Sequence, residues 1–190
     1  MADMETLAWI GLVALVLLVW SILIYNGLVG ARNEVKNGWS QIDVQLKRRH
    51  DLVPNLVEAV RGYVKHEAGL LQSIAEARSQ AMQAASAGVA GAGAVGAAEG
   101  ALGALLGQLV ATVESYPDLK ASASFLALQE ELVSTENRIG FARQAYNDAV
   151  GSYNTRRETF PNSLIAGGFE KAEMFRIEQA SERVLPKVEV

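Results

Sequence analysis

Half of the 190 residues are hydrophobic, yet cysteine is absent, which excludes disulfides, thiolate metal sites and a cysteine nucleophile. All 17 Lys and Arg lie after residue 31, against 19 of the 21 acidic residues, so residues 32–190 carry a net charge of −2 and form no polycationic nucleic-acid binder. Those roughly 160 residues are enough for one domain with its own core.

The span from Thr6 to Ala31 contains no charged residue. As a helix it would measure about 39 Å, enough to cross a hydrocarbon core of about 30 Å with some tilt. Its strongest part, Leu7 to Leu28, carries Trp9 near one end and Tyr25 near the other, the places of interfacial aromatic anchors. A cleaved signal peptide is the alternative. Against it stand the acidic residues Asp3 and Glu5 before the run and a length beyond the roughly 7 to 15 apolar residues of a signal core. Arg32, Lys36, Lys47, Arg48 and Arg49 follow the span and no cation precedes it, so the positive-inside rule places the rest of the chain in the cytoplasm. The expected organisation is a short outer N-terminus (1–6), a transmembrane helix (7–29) and a helical domain (30–190).

Beyond the anchor, Val35, Trp39, Ile42 and Leu46 recur at helical spacing, Arg49 interrupts, and Val53, Leu56, Val60 and Tyr63 resume the stripe. No breaker but single glycines separates this stripe from the anchor, so one continuous helix is expected, kinked or restarted at Pro54. Leu70, Leu71, Ile74 and Ala77 carry a second helix. From Ala84 to Gly107, 17 of 24 residues are Ala or Gly and Glu99 is the one charge. This segment reads as a loop or frayed helical hairpin, or else as a contact surface built on Gly96/Gly100 and Gly103/Gly107. Tyr116-Pro117-Asp118 marks a break and a new helix start. The next helix repeats Phe125, Leu128, Leu132, Thr135, Ile139, Ala142, Tyr146, Ala149 and Tyr153 at alternating steps of three and four, a bundle or coiled-coil seam. Phe160-Pro161-Asn162 ends it, Ala166-Gly167-Gly168 reads as a joint, and Phe169, Phe175 and Ile177 as a short terminal helix before Pro186-Lys187-Val188. The fold class is all-α: a transmembrane helix continuous with a long antiparallel bundle of about four helices.

Three blocks carry a family resemblance: Tyr25-Asn26 through Arg32-Asn33-Glu34-Val35; Trp39 through Arg49 with Asp51-Leu52-Val53-Pro54-Asn55-Leu56-Val57; and Leu128-Gln129 through Glu136-Asn137-Arg138-Ile139 to Tyr146-Asn147. On these, with Phe160-Pro161 and Pro186-Lys187-Val188, the chain resembles the LemA family of bacterial membrane proteins. The resemblance implies an N-terminal membrane helix followed by an antiparallel bundle, and no reaction. Related proteins are associated with bacterial membrane organisation, including magnetosome membranes, which implies a scaffold more than an enzyme. The Ala/Gly segment is longer than the family pattern.

Gly91 to Gly96 spell G-x-G-x-x-G, but no strand precedes them, as a dinucleotide site requires. His50 and His66 have no Glu three residues before them and would point to nearly opposite helix faces, so they read as surface or interface residues and not as ligands. No zinc, P-loop or nucleophile-elbow pattern occurs. One polar constellation remains, Asp43, Lys47, Arg48, Arg49, His50 and Asp51. It reads as a salt-bridged helix surface with Asp43 and Lys47 at i, i+4, or as a contact patch for a partner or second subunit, since Arg49 on the apolar stripe needs a counter-charge. The sequence therefore points to a non-enzymatic, cofactor-free protein anchored once in the bacterial cytoplasmic membrane. It would self-assemble as a scaffold or membrane-shaping element; the alternative is an adaptor for another membrane protein, such as a sensor kinase or protease. Expected partners are membrane lipid, further copies and other membrane proteins.

Overall fold

A computed structural model describes residues 2–64 and 67–177. Its helices are α1 (Ala2–Arg61), α2 (Ala68–Ala85), α3 (Ala92–Val113), the single turn α4 (Pro117–Lys120) and α5 (Ala123–Glu158), and no strand occurs among the described residues. The all-α expectation holds, and α1 is one unbroken helix of 60 residues. His66 and Pro186-Lys187-Val188 lie outside the described residues.

The chain divides into two compact units. The first comprises residues up to Asn37 together with Asp148–Ala172. Its part of α1 is exposed from Asp3 to Trp20, with large apolar side chains such as Leu7, Trp9, Ile10 and Val16 each more than half accessible. Leu28, Ala31 and Val35, three and four apart, are buried, as are Val150 and Tyr153 of α5. Residues 169–172 are not helical as expected: Phe169 is extended, with φ −112° and ψ 110°, and Glu170–Ala172 have no regular structure. The reason lies in α5 side chains that replace a sheet partner. Asn154 donates to the Ala172 carbonyl at 2.9 Å and accepts from the Ala172 N–H at 3.0 Å, Tyr153 donates to the Glu170 carbonyl at 2.7 Å, and Arg157 to that of Phe169 at 2.6 Å. A backbone with no ladder must find its partners elsewhere, and side chains supply them. Tyr25 meets Phe169 edge-on at 5.4 Å between centroids.

The second unit comprises Gly38–Asn147 and the chain from Glu173. Its core draws Val53, Leu56 and Val60 from α1, Leu70, Ile74, Ala77 and Ala81 from α2, Leu102, Leu106, Leu109 and Val113 from α3, and Phe125 and Leu132 from α5. Trp39 packs edge-on against Tyr146 at 5.4 Å and Phe175 at 5.8 Å. Asn147 treats Phe175 as Asn154 treats Ala172, donating to its carbonyl at 3.1 Å and accepting from its N–H at 2.9 Å, and residues 173–177 likewise have no regular structure.

Of the two forms expected for the Ala/Gly segment, a loop or a frayed helical hairpin, the structure has a helical hairpin: α2 ends at Ala85, the chain turns at Gly88, whose φ of +59° suits glycine, and α3 begins at Ala92. Five interior glycines cost about 1 kcal/mol each relative to alanine. Five buried aliphatics, Val95, Leu102, Leu106, Leu109 and Val113, contribute about 1.5–3 kcal/mol each, so packing wins. At Pro54 the helix continues. Pro54 leaves the His50 carbonyl without its helical donor, and the Arg78 Nε of α2 donates to that oxygen at 2.7 Å.

Burial, and after it the charge of Glu173, push the Tyr146 phenol up to about 12, while its hydroxyl donates to the Glu173 carbonyl at 2.7 Å. The ordinary value is 10.0, so between pH 10.0 and about 12 the folded chain keeps a proton that the unfolded chain has lost. This contribution to stability is complete below pH 10.0 and is lost as pH rises through that window. Thermal unfolding followed by circular dichroism should show Tyr146→Phe losing less Tm across the window than the parent chain; equal slopes would contradict the account.

Candidate functional site

Arg49 falls on the buried face of α1, where the apolar stripe would place an aliphatic residue, and it is 2% exposed. A guanidinium removed from water needs carboxylates and hydrogen-bond acceptors around it. Two helices supply them. Nε donates to Glu136 Oε1 of α5 at 2.6 Å and Nη2 to Glu136 Oε2, a two-pronged contact; Nη1 donates to Glu99 Oε2 of α3 at 2.8 Å and reaches the Glu99 carbonyl at 3.4 Å. Glu99 is fully buried, and its other oxygen lies 2.7 Å from Nε2 of His50, itself 5% exposed. Burial by itself would lower the pKa of Arg49; Glu136 and Glu99 outweigh it and raise the pKa above its ordinary value, which keeps the guanidinium charged.

The residues singled out from sequence thus separate. Arg49 is a core residue, not part of a surface patch. Arg48, one position on, is half-exposed and pairs with Glu131 of α5. Asp43, Lys47 and Asp51 are exposed, and no ion pair joins Asp43 to Lys47 among the described residues. His50 is buried and not at the surface. Of the seam, Phe125, Leu132, Ile139 and Tyr146 are buried in the second unit with Leu128 partly so, and Tyr153 is buried in the first. The anchors Trp9 and Tyr25 are 67% and 52% exposed. Glu99 and Glu136 were missed as partners. Their signals were a single charge in an Ala/Gly run and an acid beside the seam residue Thr135.

The ion cluster forms the floor of a cleft of about 740 Å³ between α3 and α5. Its walls are Ala97, Gly100, Ala101, Gly103, Ala104, Gly107 and Val110 on one side and Leu132 and Val133 on the other, with Ile177 at one edge. Among the described residues that line it, Arg49, Glu99 and Glu136 are the titratable ones, and both carboxylates are already bound by Arg49. The arrangement suits binding of an apolar segment better than acid–base chemistry. Among the described residues no group of three or more His, Asp or Glu is placed to hold a metal.

Truncating Arg49 would leave two carboxylates facing the interior. Arg49→Met is expected to cost about 3–5 kcal/mol of unfolding free energy, whereas Arg48→Met, at the surface, should cost under about 1 kcal/mol. Denaturant unfolding of the detergent-solubilised chain measures both, and equal losses would contradict the burial account.

A family model described as the LemA family matches residues 38–190. Among curated proteins the chain is 26% identical to magnetosome protein MamQ 2 of Paramagnetospirillum magneticum, over 83% of this chain and 66% of that protein, and equally to MamQ 1 of the same organism. It is 28% identical to protein LemA of Metamycoplasma hominis, over 83% of this chain and 69% of that protein. The chain thus spans a little under two thirds of the length of its MamQ relatives. The matched residues contain the buried Arg49, Glu99 and Glu136 and all of α2 to α5, and by this match the chain belongs to the LemA family.

Proposed function

We propose that this protein is a non-enzymatic, membrane-anchored helical bundle that self-associates and serves as a scaffold or membrane-shaping element. The observation that carries this reading is the exposed stretch of α1. Among the described residues two helical stretches are long and apolar enough to cross a membrane; the most apolar window of α1 is 0% buried, against 33% for the stretch ending in α3. A helix that shows Leu, Val and Ile on every face is suited to lipid, because in water each such side chain forfeits its burial. The magnetosome relatives support a role in membrane organisation, and the cations that follow the span support a cytoplasmic bundle in the inner membrane.

Self-association draws its support from α5. Leu126, Val133 and Phe141 are 49%, 54% and 75% exposed, an apolar stripe that a monomer leaves wet. The same stripe would serve an adaptor presenting its bundle to another membrane protein, with half-exposed Arg48 at hand for charge recognition.

Two experiments test the reading. Single cysteines at Thr6, Ala90 and Ser152 are unambiguous reporters in a chain without cysteine. An impermeant thiol reagent added to intact cells should label Thr6→Cys and spare the other two, and outside labelling of Ser152→Cys would overturn the orientation. In lipid nanodiscs or detergent the chain should sediment as an oligomer, and Phe141→Asp should shift it at least tenfold toward monomer. A parent chain that remains monomeric in lipid would remove self-assembly and leave the adaptor reading.

A further inference from the structure

We propose that the loop after α5, residues 159–168, dips into the headgroup–acyl boundary of the bilayer beside the end of the α1 span, so that the chain grips the membrane at a second point. This contact presupposes that α1 spans the bilayer, as proposed for its function, and adds a lipid contact made by the bundle itself.

The first unit holds this loop at the level of the membrane surface. Arg156 Nη1 donates to the Gly27 carbonyl of α1 at 3.1 Å, and the Phe169 ring meets that of Tyr25. Both ends of the loop are therefore pinned to the same short stretch of α1. Tyr25 has the place of an interfacial aromatic, and Arg32, the first cation past the span, lies about 10 Å further along the helix. The headgroup zone falls between them. Further bonds keep the loop there: Asn162 Nδ2 donates to the Arg156 carbonyl at 3.0 Å, Arg157 Nε to that of Phe169 at 2.6 Å, and Lys171 pairs with Glu158 at 3.2 Å.

The chemistry of the loop suits that zone. From Thr159 to Phe169 the chain has no charged residue, a second charge-free run set beside the end of the first. Phe160 and Leu164 are 74% and 73% exposed, although Ala166 and Phe169 of the same run are buried. In water this pair forfeits its burial; at the edge of the acyl chains it recovers it. Arg156, Arg157 and Lys171 flank the run against Glu158 and Glu170, an excess of one cation. So small an excess offers anionic lipid little, and apolar insertion carries the contact. The surroundings select a bilayer as occupant: the exposed apolar surface of α1, Leu7 to Trp20, begins about 8 Å from Tyr25 along the same helix, so a partner at the loop shares its space with the lipid around that span.

The test uses the full chain in nanodiscs of three parts phosphatidylcholine to one part phosphatidylglycerol, with a nitroxide on single cysteines. Its collisions with oxygen, which concentrates in lipid, are compared with those of a nickel chelate, which stays in water. Phe160→Cys and Leu164→Cys should each show an oxygen-to-nickel ratio about threefold or more above that of Ser152→Cys, an exposed position on α5, and below that of Ile10→Cys, inside the span. Ratios equal to that of Ser152→Cys, with Ile10→Cys in lipid, would overturn the proposal and leave the anchor standing. An aqueous ratio at Ile10→Cys would remove the anchor and the proposal together. Low collision rates with both reagents at Leu164→Cys would also overturn it, by marking a protein contact such as a second copy.

Discussion

A charged guanidinium buried in a helical interior constrains everything around it, because removing a single counter-charge strands the others in a medium that solvates none of them. Arg49 is held by Glu99 from α3 and Glu136 from α5, so three helices meet through one side chain. Sliding any of them by one turn, about 5.4 Å, would break contacts of less than 3 Å. A uniformly apolar seam would tolerate such slippage far better. The ion cluster therefore sets the register of α1, α3 and α5 in the bundle.

The same accounting explains the places where the backbone departs from regular structure. Pro54 deprives the His50 carbonyl of its donor and Arg78 makes good the loss, so α1 needs no restart. Residues 169–177 belong to no helix or strand, and the pairs Tyr146-Asn147 and Tyr153-Asn154, seven residues apart on α5, each supply donors to their backbone, with both asparagines also accepting an N–H. Side chains at heptad spacing act as a substitute ladder. This ties the end of the described chain to the cleft whose floor is the ion cluster, and joins the register of the bundle to the groove beside it.

Much of this was legible in the sequence because α1 and α5 bury aliphatic and aromatic residues at strict helical spacing. The charge-free span and the odd placement of Arg49 on an apolar stripe could also be read directly. Alanine and glycine carry no such pattern, so α3 read as a connector although Leu102, Leu106 and Leu109 draw it into the core. The terminal segment read as a helix because Phe169 and Phe175 mark burial without revealing that asparagines elsewhere bond their backbone. Glu99 and Glu136 lie 50 and 87 residues from Arg49, and periodicity along one helix gives no means of pairing residues across three.

The claim at the centre is that Arg49 and its two carboxylates act as a unit. A double-mutant cycle on Arg49→Met and Glu99→Met, followed by denaturant unfolding of the solubilised chain, measures it directly. The account predicts that the double variant is more stable than the sum of the two single losses implies, by about 2–3 kcal/mol, since removing both charges spares the uncompensated one. Losses that add within about 0.5 kcal/mol would contradict it.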